Sequence, residues 1–186
     1  MPHTRICKRP SPGVLALGVL TLMVTAATAE AQVIAKAGAS PGITVGSAAP
    51  EIDFETLTGG RVKLSQLRGH PIVITFWGTW CPPCRDEFPA LVSAYHAHRA
   101  QGLEIIAVNQ RDQELNTNDV KAFVEEFGVE FPVAMDQRGK SRRSFRLVAL
   151  PTTVFVDSSG IMRTIHSGPI TPGDLAKGLE TILPAK

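Results

Sequence analysis

Ile72-Val73-Ile74-Thr75-Phe76-Trp77 is an unbroken run of β-branched and aromatic residues, and three residues later the chain reaches Cys81-Pro82-Pro83-Cys84. A run of this kind, with no polar alternation, reads as a strand buried on both faces. Beyond the cysteines, Phe88, Leu91, Val92 and Tyr95 fall at i, i+3, i+4 and i+7, the apolar stripe of a helix, with Pro89 expected to bend it. The cysteine pair therefore sits where a buried strand hands over to a helix. A disulfide across so short a gap closes almost no chain and adds little stability by chain entropy. That spacing suits a bond that is made and broken.

The start of a helix presents unpaired N–H groups and the positive end of the dipole, both favourable to an anion. Cys81 stands at that end, so its thiolate is expected to be stabilised and its pKa lowered. Cys84, one turn in, should be more buried and a poorer first attacker. The expected chemistry is attack by Cys81 on a disulfide, then resolution of the mixed disulfide by Cys84. Pro82 and Pro83 restrict the loop and remove backbone donors near the sulfurs. Arg85 either adds positive charge there or points to solvent.

Other readings of the pair find less support. A structural zinc site needs four ligands, and neither a second cysteine pair nor a His-x-x-x-His is near. Covalent haem attachment needs His after the second cysteine, where Arg85 stands. A peroxidatic Pro-x-x-x-Thr-x-x-Cys motif would need Pro and Thr where Ile74 and Gly78 lie. A copper(I)-handling module would suit two thiolates, but no methionine cluster accompanies them.

The rest of the chain alternates strand and helix signals. Arg61 to Leu64 reads as a short strand, followed by a turn of helix at Ser65 to Leu67. Leu103 to Val108 reads as a second buried strand, and Val120, Phe123, Val124 and Phe127 as another helical stripe ended by Gly128. Phe131 to Met135 is a short third strand, with a helix expected around Gly139 to Phe145. Thr152 to Val156 and Ile161 to Ile165 flank Asp157-Ser158-Ser159-Gly160, a hairpin turn. A last helix has Thr171 as cap, Pro172 at its first position, and Leu175, Leu179, Ile182 and Leu183 on one face. This order predicts an α/β layer fold with helices on both faces of a central sheet. The 44% hydrophobic content is enough for a core.

At the N-terminus, Arg5, Lys8 and Arg9 precede the uncharged apolar run Val14 to Ala29. The small-x-small sites Ala27-Thr28-Ala29 and Ala29-Glu30-Ala31 follow, as in a cleavable export signal. The run is short for a membrane span of about 20 residues. Residues 1–31 are thus expected to be a signal peptide or N-terminal membrane anchor, 32–44 a linker, and 45–186 the folded domain. Setting 1–31 aside leaves 16 basic and 16 acidic residues. That balance, without a basic stripe, speaks against nucleic-acid binding.

Phe76-Trp77-Gly78-Thr79-Trp80-Cys81-Pro82-Pro83-Cys84-Arg85-Asp86-Glu87-Phe88-Pro89, with Leu150-Pro151-Thr152 and Val45-Gly46-Ser47-Ala48-Ala49-Pro50, resembles the TlpA/ResA-like thioredoxins of bacterial envelopes. The resemblance implies a thioredoxin-like fold with a central mixed sheet and an extra strand–helix insertion, here Asn109 to Met135. It implies a cis peptide bond before Pro151, with Pro151 against the cysteine pair. Cis X–Pro bonds are uncommon, about 5–6% of cases, so the residues alone favour trans. Leu150 would then offer its backbone to an extended substrate segment, beside Trp80. Glu87, three residues beyond Cys84, is implied to move the proton when Cys84 changes state. On the residues alone it is equally a first-turn acid favoured by the dipole. The buried Asp of general thioredoxins has Thr75 in its slot.

The function this implies is reduction of protein disulfides in the periplasm or on the outer side of the inner membrane, by a monomer. Electrons would come from a membrane thiol donor of DsbD/CcdA type. The implied protein clients are apocytochrome c thiols or copper-site cysteines of cytochrome oxidase. The resemblance implies no metal or other cofactor beyond the Cys81–Cys84 disulfide. An oxidase or isomerase would use the same residues.

Overall fold

In the computed structural model, residues 43–184 are described. The expected export segment 1–31, and all of the expected linker but residues 43 and 44, lie outside them. Strands β1 (Asp53–Glu55) and β2 (Arg61–Lys63) form a small antiparallel hairpin, with Asp53 opposite Lys63 and Glu55 opposite Arg61. β1 has no counterpart among the sequence expectations. Opposite charges facing across the ladder hold this pair, and Phe54 and Val62 point the other way, inward. A 3-10 turn at Leu64–Leu67 leads to the main sheet.

That sheet has the order β5-β4-β3-β6-β7. β3 (Ile72–Trp77) lies at its centre, parallel to β4 (Glu104–Asn109) and antiparallel to β6 (Thr152–Val156). β5 (Val133–Met135) adds a parallel edge, and β7 (Met162–Ser167) pairs with β6 as the expected hairpin. Every residue of β3 is buried. Strand alternation sends Val73, Thr75 and Trp77 to one face and Ile72, Ile74 and Phe76 to the other.

The first face receives α1 (Pro82–His98), α2 (Thr117–Glu126) and α4 (Pro172–Glu180). Phe88 of α1 meets Trp77 and Phe123 of α2 edge-on, each with ring centroids 4.7 Å apart. Pro89 lies within α1, which continues to His98. The other face is covered by the β1–β2 hairpin, the 3-10 turn and Phe145, which follows the short α3 (Lys140–Ser144). Helices thus occupy both faces, unevenly. The insertion is α2 with edge strand β5. Asn116 caps α2 and Thr171 caps α4 by accepting the Asp119 and Asp174 N–H groups.

Candidate active site

Cys81 is the extended residue at the start of α1 and is bonded to Cys84, with Cα atoms 5.3 Å apart. Pro82 and Pro83 fill the first two helical positions, where a fixed φ suits the helix and the missing N–H costs nothing. They also remove the two donors expected to face the sulfur. The next, Cys84 N–H, donates to the Cys81 carbonyl at 3.0 Å, and Arg85 N–H to the same oxygen at 3.3 Å. The dipole of α1 is therefore the main backbone contribution left to favour a Cys81 thiolate. Cys84 is fully buried and Cys81 is 4% exposed, the order expected from their positions.

Arg85 is turned toward α2. Its guanidinium pairs with Glu126 and lies 5.1 Å from the ring centroids of both Phe123 and Phe127, so its charge is committed to the insertion.

Trp80 is half exposed and folds back over Gly78. A Cβ on Gly78 would stand 2.7 Å from the Trp80 Nε1. A threonine at this slot would require the half-exposed indole to move.

Glu87 lies one turn beyond Cys84 on the sheet-facing side of α1 and is buried. Its Oε1 accepts from the Thr75 hydroxyl at 2.9 Å and its Oε2 from the Ile170 N–H at 3.3 Å. Thr153, opposite Thr75 in the ladder, extends the chain with a hydroxyl contact at 3.5 Å. Burial pushes the Glu87 carboxyl up to about 7, against the lowering effect of those two hydrogen bonds. Thr75, in the slot where general thioredoxins carry an acid, instead holds an acid supplied by the helix.

The Leu150–Pro151 bond is cis. Antiparallel pairing of Thr152 with Phe76 sets Pro151 at the end of the sheet where β3 delivers the cysteine pair. Trp80, Cys81, Leu150 and Pro151 thus gather at one end, with Cys84 and Glu87 behind them.

One acid in this region has no sequence signal. Glu114 accepts from the Thr79 N–H at 2.8 Å, from the Thr79 hydroxyl, and from Asn109 Nδ2 at 2.7 Å. It reaches across 35 residues to brace the loop before Cys81, and nothing local marks it.

Residues 45–165 match the model of the AhpC/TSA family. The chain belongs to the AhpC/TSA family. Among its relatives, ResA thiol–disulfide oxidoreductase of Geobacillus kaustophilus is 37% identical over 142 residues, covering 76% of this chain and 80% of that protein. ResA of Bacillus subtilis is 33% identical over 144 residues, covering 77% and 79%. A solved DsbE-type thiol:disulfide interchange protein of Chlorobium tepidum superposes with a TM-score of 0.68 at 29% identity, over 75% of this chain and 97% of that one. Within the family, this chain is a thiol–disulfide oxidoreductase of ResA/DsbE type with a thioredoxin-like fold.

Proposed function

We propose that the protein is an exported reductase of protein disulfides, and that Cys81 is the attacking thiolate. Cys81 Sγ attacks one sulfur of a client disulfide and expels the other as a thiolate. Cys84 gives its proton to the Glu87 carboxylate and attacks Cys81 Sγ. The client leaves with its second sulfur reduced, and Cys81–Cys84 carries the oxidising equivalents. When a donor dithiol attacks that disulfide, Cys84 departs and Glu87 returns the proton. Trp80, Leu150 and Pro151 line the end of the sheet where the client chain lies.

The observation that carries this reading is Glu87, a carboxyl group with its pKa raised to about 7, buried one turn from the inner cysteine. A group poised there takes and returns a proton at neutral pH with little driving force either way. Export is supported by the basic start, apolar run and small-x-small sites of residues 1–31. Among the described residues no helix is long and apolar enough to cross a membrane. An exported reductase needs a membrane thiol donor of DsbD/CcdA type. Clients in cytochrome c maturation or copper-site assembly fit the ResA resemblance.

Cys84→Ser is expected to accumulate a mixed disulfide between Cys81 and a peptide-disulfide substrate, seen by non-reducing electrophoresis and mass spectrometry, while Cys81→Ser forms none. Absence of an adduct with Cys84→Ser would sink the assigned roles. For direction, a reduction potential of the domain near the thioredoxin level of about −270 mV supports the reductase, and one near about −120 mV makes it an oxidant.

A further inference from the structure

Four large apolar side chains are exposed among the described residues: Val45, Trp80, Leu115 and Val148. Three of them belong to segments at the end of the sheet where β3 leads into the disulfide. Trp80 precedes Cys81, and Val148, 89% exposed, lies two residues before the Leu150–Pro151 cis bond. Leu115, 94% exposed, follows Glu114 directly. Because the Glu114 carboxylate grips the backbone and hydroxyl of Thr79, Leu115 and Trp80 are chain neighbours of a directly bonded pair.

Leu115 is held from both sides. Arg111 donates to the Glu114 carbonyl at 3.1 Å and to the Thr117 hydroxyl at 3.1 Å, and Asn116 caps α2. The backbone on either side of Leu115 is thus held while its side chain is left in water, where it gains nothing by burial within its own chain. Near Leu115, Asp112 is paired with Arg142 and Arg85 with Glu126. The contact that Leu115 itself offers is apolar. The occupant follows from the reaction, since a protein client must lay the chain around its disulfide over the Cys81 sulfur, beside Trp80.

We propose that Leu115 selects clients: with Trp80 and Val148 it forms an apolar rim that takes the apolar side chains flanking the disulfide-bonded cysteine of an extended client segment. The insertion thereby carries a substrate contact and, through Glu114, fixes it against the active-site loop. This inference rests on the thiol–disulfide exchange reading.

The test uses the reduced full chain and three oxidants: hydroxyethyl disulfide, and two synthetic peptide disulfides identical except for Leu and Val or Ser and Gly beside the cysteine. Leu115→Ser is expected to lower the second-order rate constant of oxidation about tenfold for the apolar-flanked peptide, the loss of roughly one buried aliphatic side chain. The other two oxidants should stay within about twofold of the parent, as for an exposed surface change. Leu115→Met should restore the apolar-flanked rate. An equal fall with all three oxidants, or an unchanged rate with the apolar-flanked peptide, overturns the proposal. A parent protein inert toward hydroxyethyl disulfide would instead remove the exchange reading beneath it.

Discussion

Glu87 is subject to opposing demands. Exchange at Cys84 needs a nearby group that accepts a proton near neutrality, yet a carboxylate buried beside Thr75 and Ile170 is costly to ionise. The raised value, about 7 against an ordinary 4.5, means the folded chain holds a proton that the unfolded chain has released between those pH values. The folded state binds the extra proton, so stability falls as pH rises through that window and is lowest above it. The span corresponds to about 3 kcal/mol. Glu87→Gln keeps both contacts if the Thr75 hydroxyl turns from donor to acceptor. It is expected to be more stable than the parent at pH 8, by up to about 3 kcal/mol, with the difference vanishing toward pH 4. Urea unfolding of the oxidised proteins at several pH values measures this. A pH-independent difference would mean that Glu87 does not titrate between the two states.

The last helix shows why an element can be legible while its packing is not. Thr171, Pro172 and the spacing of Leu175 and Leu179 announce α4 because caps and periodicity are local properties. Gly178 inside it looks like a weakness, since Gly costs about 1 kcal/mol relative to Ala in a helix. The structure gives the reason: a Cβ there would stand 2.2 Å from the Phe155 ring, so α4 lies directly on β6. Gly178→Ala is therefore expected to destabilise the protein by about 1–3 kcal/mol, whereas helix propensity alone predicts a gain. A lower urea midpoint at unchanged slope would confirm it, and a raised midpoint would contradict the packing. The same division between local and distant signals separates what else was legible. β3, α1 and the β6–β7 hairpin are written in runs, stripes and a turn. β1 is three residues with a lone Phe54 between two acids, and only its pairing with Arg61–Lys63, across the Gly59-Gly60 turn, makes it a strand. Cys81, Cys84 and Glu87 are visible from spacing and resemblance. The partners of Glu87, and the hold of Glu114 on Thr79, depend on contacts that no nearby residue encodes. Asp136 has a local partner set but no familiar pattern, accepting from the Arg138, Lys140 and Ser141 N–H groups at the start of α3, whose N-cap position is held by Gly139.

At the scale of the molecule, folding and redox poise are linked. The difference in folding stability between the oxidised and reduced forms mirrors the difference in potential between the folded and unfolded pair. An oxidant of the DsbA kind is one whose reduced form the fold stabilises. Several features here act the other way. Pro82 and Pro83 withhold two N–H donors from the Cys81 sulfur. Both sulfurs lie in the apolar cluster with Trp77 and Phe88, where a thiolate is poorly solvated. Glu87, partly ionised at pH 7, repels a thiolate on Cys84. Each raises the free energy of the reduced, thiolate-bearing state, while the disulfide carries no charge and is indifferent to them. Stability gained by closing the two-residue loop in the unfolded chain is small and does not reverse the balance. The oxidised protein is therefore expected to resist urea at pH 7 better than the reduced protein, each 1.4 kcal/mol of difference corresponding to about 30 mV in the pair's potential. Two denaturation curves, one with dithiothreitol and one without, decide it. A more stable reduced form would make the folded pair an oxidant and reverse the proposed direction of electron flow, leaving the fold and the Cys81–Cys84 site where they are.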